Sequence, residues 1–67
     1  MDYCKMISRG MSEAGIRSAK ALSQATGVSA SNLSKILNGQ QEPSTATLKA
    51  LSKAFSVKMS TMISWGE

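Results

Sequence analysis

Small and polar side chains gather on one face of a short predicted helix. Leu33, Ile36 and Leu37 have the i, i+3 and i+4 spacing of its apolar face. The opposite face carries Ala30, Ser31, Ser34 and Lys35. A lysine can donate to guanine O6 and N7, a serine can bond several bases, and an alanine can only touch a thymine methyl. We therefore expect these four residues to contact base edges in a DNA major groove, although Lys35 could also be a solvated lysine that contributes only charge.

A second group of residues, just upstream, has the chemistry of an anion site. Ser18 stands at the start of another predicted helix, whose first backbone N–H groups have no partner within the helix. Arg17 and Lys20 place positive charge beside those N–H groups. This combination predicts contacts of Arg17, Ser18 and Lys20 to DNA phosphates.

The elements that must position both groups are two short helices joined by a tight turn, within residues Ala19–Asn38. Gly27 ends the first helix because a residue just past a helix commonly needs a positive φ. Val28 is expected to plug the turn, and Ser29 to cap the next helix. Three apolar residues should lock the helices together: Leu22, Leu33 and Ile36. Such a helix-turn-helix is a unit that places its second helix in the major groove.

The rest of the sequence predicts three more helices and no strand, hence an all-α fold. The five predicted helices are Tyr3–Glu13, Ser18–Thr26, Ala30–Leu37, one from Ser44 or Thr45 to Phe55, and a last one that Ser60 caps. Gly10 should cost the first helix about 1 kcal/mol relative to alanine. The loop from Gly39 to Pro43 is expected to face solvent. We expect one domain over residues 1–67, with the motif at 19–38.

The stretch from Ser18 to Gly66, about three quarters of the chain, resembles the Cro/C1-type (XRE-type) helix-turn-helix domain of phage repressors and bacterial regulators. The resemblance rests on three segments: LSQATGVSASNLSKILNG, a short loop with EPS, and TLKALSKAFSVKMSTMI. It implies a compact five-helix, lambda-repressor-like fold in which helices 2 and 3 form the motif. It also implies a sequence-specific regulator of transcription, most simply a repressor that binds a palindromic operator in double-stranded DNA as a homodimer.

The resemblance adds two phosphate contacts, Asn38 and Gln40, and exposes three departures. Ala19 stands where many members carry a phosphate-binding glutamine, Thr26 occupies a usually apolar position, and Ser56 replaces a usual glycine.

The end of the chain provides the candidate dimer contact. Met62 and Trp65 lie in or beside the last predicted helix. Trp65 could equally be a lid on the core, since tryptophan is common both in small cores and at interface centres.

Charge and composition narrow the functional classes. Eight Lys/Arg residues against four Asp/Glu give a formal net charge of +4, which favours a polyanionic partner. Nucleic acid fits best; an anionic membrane surface fits less well because the turn chemistry indicates a folded domain. The main alternative is a module of the antitoxin or anti-repressor type, which binds another protein and for which DNA binding is secondary.

The sequence lacks the residues that several classes of function require. The sequence has no histidine, no suitably spaced carboxylate pair and no phosphate-binding glycine loop, so we expect neither an enzyme nor a metal site. The single cysteine, Cys4, cannot form an internal disulfide and indicates the reducing cytoplasm. Apolar stretches are too short to span a membrane. We expect no cofactor and no small-molecule ligand.

Overall fold

The computed structural model describes residues 2–67, which form five α-helices and no strand within that range. The helices are α1 (Tyr3–Ala14), α2 (Ala19–Thr26), α3 (Ala30–Leu37), α4 (Thr45–Ala54) and α5 (Met59–Ser64). The predicted all-α, five-helix fold is therefore confirmed.

The helices enclose one hydrophobic core. α2 packs against α3 and α4, α1 packs against α3 and α5, and α4 packs against α5. Eight apolar side chains are buried at the centre: Met6, Ile7, Leu22, Leu33, Ile36, Leu51, Phe55 and Met62. Every helix contributes to this cluster, so the buried side of α3 belongs to the same core as the other four helices.

Side-chain caps begin four of the five helices. The Asp2 carboxylate accepts a hydrogen bond from the Lys5 N–H at 3.0 Å. The hydroxyl groups of Ser18, Ser29 and Ser44 accept from the residue three positions later at 3.1 to 3.2 Å. These bonds satisfy N–H groups that have no partner within the helix, which explains why these starts could be located from sequence.

The start of α5 differs from its prediction. Lys58 is the N-cap residue and makes no side-chain capping bond, so Ser60 lies inside the helix rather than at its start. The prediction that Ser60 caps the last helix is wrong. The cause is backbone continuity, since the Met62 N–H already bonds the Lys58 carbonyl at 3.0 Å and the first turn closes two residues earlier.

Gly10 lies inside α1 for a packing reason. It is buried, and a Cβ added at this position would overlap the ring of Phe55. The ring of Phe55, the residue that ends α4, therefore rests directly on the α1 backbone. This close contact requires a residue without a Cβ, which explains why Gly10 lies inside a helix despite its expected cost in helix propensity.

The ends of the described chain meet at the start of α1. The Asp2 N–H donates to the Gly66 carbonyl at 2.9 Å, and Lys5 Nζ donates to the Glu67 carbonyl at 3.4 Å. One further expectation needs correction: Pro43 is buried, so the loop from Gly39 to Pro43 faces solvent only over its first four residues. Among the described helices, none has the length and apolar character that crossing a membrane requires.

Candidate nucleic-acid interface

The turn between α2 and α3 is built from side-chain hydrogen bonds as well as from glycine. Gly27 has a φ of 77°, as expected for a residue just past a helix end. Thr26 Oγ1 accepts a hydrogen bond from the Val28 N–H at 3.1 Å and donates to the Leu22 carbonyl at 2.8 Å. Ser23 Oγ donates to the Val28 carbonyl at 2.6 Å. Both polar groups of the Val28 backbone are thus satisfied by α2 side chains.

The packing that was expected to lock the two helices is present. Leu22 and Leu33 are fully buried, Ile36 is 2% exposed, and α2 packs directly against α3. Val28 is half-buried and packs against the same core. These contacts fix the orientation of α3, and with it the direction in which its outer face points.

That outer face carries all four residues that we expect to contact bases. Ala30, Ser31, Ser34 and Lys35 are exposed, on the side of α3 away from Leu33 and Ile36. None of the four side chains forms a hydrogen bond to another of the described residues 2–67. The face therefore presents the hydroxyl groups of Ser31 and Ser34 and the Lys35 amine with no hydrogen-bond partner among the described residues.

The start of α2 brings together the first three residues that we expect to contact phosphates. Arg17, Ser18 and Lys20 are exposed around the first turn. Ser18 Oγ accepts from the Ala21 N–H, which leaves its own proton able to donate to an anion. The Ala19 and Lys20 N–H groups precede the Leu22 to Ser18 hydrogen bond and have no partner within the helix, so they are also open to an anion.

The other two expected phosphate contacts lie just beyond α3. Asn38 and Gln40 are exposed on either side of Gly39, which has a φ of 75°. The Gln40 N–H donates to the Lys35 carbonyl at 2.8 Å, so this loop is tied to the last turn of α3. The expected phosphate contacts therefore come from the start of α2 and from the end of α3.

The charges on this part of the surface are unpaired. Within residues 2–67 the one ion pair joins Arg9 and Glu13 at 2.9 Å. Arg17, Lys20 and Lys35 consequently have no carboxylate partner in the described chain and can interact with phosphate or base without first breaking an ion pair. The described residues also contain no cluster of three or more side chains that could hold a metal ion.

The expected dimer residues have different positions. Met62 is fully buried in the core, so its assignment to a dimer surface is corrected: a six-residue helix turns this side chain inward, against α1 and α4. Trp65 is half-buried against the same core, and Arg9 Cζ lies 5.7 Å from its ring centroid. Trp65 thus covers the core in the single chain and still exposes part of its ring.

Thr26 and Ser23 are the functional residues that sequence reasoning undervalued. In the sequence, Ser23 is a small residue that lets the two helices cross closely, and Thr26 departs from a usually apolar position; neither feature by itself predicts these hydrogen bonds. A hydroxyl residue one position before the turn glycine could have indicated a bond to the backbone two residues on, because Ser and Thr side chains commonly make such bonds at turns.

Comparison with known proteins places these elements in a family. A family model described as helix-turn-helix matches residues 7–61. The match includes α2, α3, α4 and the turn between the first two. Searches of curated proteins and of solved structures found no match.

Proposed function

Because this chain belongs to the Cro/C1-type helix-turn-helix family and is a sequence-specific DNA-binding regulator of transcription, we propose that it is a repressor. In this proposal residues 1–67 act as a single DNA-binding domain, and two copies bind a palindromic operator through adjacent turns of the major groove. Occupation of the operator excludes the polymerase. The single exposed cysteine favours the cytoplasm as the place of action.

The observation that carries the proposal is the exposed, unengaged face of α3. We assign base contacts to Ala30, Ser31, Ser34 and Lys35, with Lys35 as the main source of sequence preference. It is the long side chain of this set and can bond two acceptors of one guanine. The short side chains beside it allow the helix backbone to approach the bases closely.

Phosphate contacts are assigned to five exposed residues at the start of α2 and just beyond α3: Arg17, Ser18, Lys20, Asn38 and Gln40. They lie at both ends of the motif, so phosphates on both sides of the groove could be held. Contacts of this kind fix the position of the helix and supply affinity without reading sequence.

The proposal predicts that two lysine substitutions have different effects. Lys35→Ala should relax the preference at one base pair, whose discrimination is worth about 1–3 kcal/mol. Lys20→Ala should weaken binding to all sequences alike and reduce the slope of log K against log salt by about 0.9. Selection from random duplexes at two salt concentrations, followed by titration of each variant, measures both effects.

Lys5→Ala is the matched control, because it removes the same charge at the meeting point of the chain ends. It should change neither the selected sequence nor the salt slope by a comparable amount. If Lys35→Ala keeps both the site preference and the affinity of the parent protein, the assigned orientation of α3 is wrong.

A further inference from the structure

A surface groove lies between the first turn of α1 and the end of α3. It encloses about 460 Å³ and is open to solvent. Its apolar lining comes from Tyr3, Ile36 and Leu37, of which Tyr3 and Leu37 are half-buried in the isolated chain. A groove of this volume lies in the range of small-ligand sites, and its open shape lets a chain segment lie across it.

The charge of the groove is opposite to that of the molecule. Two of the four acidic residues in the sequence, Asp2 and Glu42, line it from different elements. None of the residues that line it carries positive charge, although the chain has eight Lys/Arg residues. Neither carboxylate forms a salt bridge with another residue in the described range 2–67. The two carboxylates would repel a nucleic acid phosphate, so the groove meets the proposed DNA surface only at its edge, where Asn38 lies.

We infer that this groove is a docking site for a basic segment of another protein, in which apolar side chains contact Tyr3 and Leu37 and flanking lysine or arginine side chains meet Asp2 and Glu42. The inference follows from charge complementarity around an apolar floor. The alternative occupants, a second copy of this chain or no partner at all, give different results in the test below.

The site borders the end of the recognition helix. Asn38 lines the groove and is also an assigned phosphate contact. A segment bound in the groove would cover Asn38 and so compete with DNA; this consequence rests on the proposed function, whereas docking itself does not. The groove thereby provides a way for a partner protein to release the regulator from its operator.

The alkylation rate of Cys4 can report whether the groove is occupied. It is the single cysteine of the sequence, it is exposed, and it lines the groove. The full chain is alkylated with iodoacetamide while the probe peptide Ac-Leu-Lys-Leu-Lys-NH2 is titrated. We expect saturable slowing of alkylation by this peptide and none by Ac-Leu-Glu-Leu-Glu-NH2. Equal protection by both peptides, or by neither, overturns the inference.

Variants then test the carboxylates. The double variant Asp2→Asn, Glu42→Gln removes both charges, and asparagine at position 2 can still cap α1. For each protein, the alkylation rate with peptide is divided by the rate without it. The double variant should need about tenfold more lysine peptide than the parent for half protection, since two exposed ion pairs are lost. Glu13→Gln, which removes a carboxylate of α1 outside the groove lining, should behave as the parent. An unchanged double variant contradicts the assignment.

Two further readouts separate the remaining outcomes. If alkylation slows with protein concentration alone, the occupant is a second copy and the inference is wrong. In a DNA titration, the lysine peptide should weaken binding of the parent more than that of the double variant. If the peptide does not affect DNA binding, the competition is wrong but the docking site is not. If the chain binds no DNA, the proposed function is wrong, while the alkylation result still tests the docking site.

Discussion

Ser56 holds a backbone conformation that its side chain disfavours. Its φ is 57°, and it follows α4 at the position where glycine usually stands. The Val57 N–H donates to the Ser52 carbonyl and the Ser56 N–H to the Lys53 carbonyl, both at 3.1 Å, which is the hydrogen-bond pattern of a Schellman motif. A residue with a Cβ costs about 1–2 kcal/mol in this conformation.

Ser56→Gly should therefore stabilise the protein. Part of the relieved strain is offset by the greater freedom of glycine in the unfolded chain, which leaves a gain of about 0.5–1 kcal/mol in the free energy of unfolding. Urea denaturation measures it. The matched control, Ser8→Gly in the exposed middle of α1, should instead lose about 0.5 kcal/mol. A loss of stability in Ser56→Gly would show that the serine side chain supports this turn.

Gly10→Ala should destabilise the fold, although helix propensity alone predicts a gain of about 1 kcal/mol. The new methyl group would overlap the Phe55 ring, and displacing a core aromatic by overpacking typically costs about 1–3 kcal/mol. Ser8→Ala, two residues away on the exposed face of the same helix, should stabilise by a few tenths to about 0.5 kcal/mol. Thermal unfolding of both variants decides the point: if Gly10→Ala melts as high as Ser8→Ala, the ring does not rest on α1.

At the scale of the element, the turn between α2 and α3 depends on the hydroxyl of Thr26. Thr26→Val keeps the shape of the side chain but leaves the Val28 N–H and the Leu22 carbonyl without this partner. We expect a loss of about 1–2 kcal/mol, although an apolar residue is usual at this position in the family. Thr26→Ser keeps the hydroxyl and should lose less. Urea denaturation with amide exchange at Val28 measures both, and a valine variant at least as stable as the serine variant would contradict the bracing role.

The elements that sequence predicted well are those with local chemical markers. The bounds of α2 and α3 follow from Ser18, Gly27 and Ser29, because capping and positive φ act within a few residues. The start of α5 was mispredicted because Ser60 has the right side chain for a cap while the backbone closes its turn earlier. Local markers cannot decide between two such starts.

Features that depend on contacts between residues far apart in the chain could not be predicted from local sequence markers. A six-residue helix has too little periodicity to show that Met62 faces the core. The contact of Phe55 with Gly10 and the groove beside Tyr3 join residues far apart in the chain. The exposed positions of α3 could be predicted because Leu33 and Ile36 fix its inner side. The base that each exposed side chain contacts could not, because it depends on how the helix lies in a complex with DNA.

At the scale of the whole molecule, one copy offers a small reading surface. Three of the four assigned base-contact residues are alanine or serine, so a single α3 can discriminate few base pairs. Two copies related by a twofold axis would double the contacts on a palindromic site. With Met62 buried, the contact between copies must use other residues, and the exposed part of Trp65 is our proposed contribution.

A homodimer on DNA makes the spacing of half-sites a measurable quantity. Two recognition helices held on one face of the duplex should need half-site centres about 10 bp apart. Starting from the selected operator, insertion of 5 bp between half-sites turns one of them to the opposite face, and affinity should fall to that of a single half-site. Insertion of 10 bp restores the face but lengthens the span, so it should recover little if the two copies contact each other directly. Titration of the three duplexes, with sedimentation of the complexes to count bound copies, tests this. Equal affinity for all three duplexes would mean that each copy binds alone, and the homodimer proposal would fail while DNA binding by α3 remained.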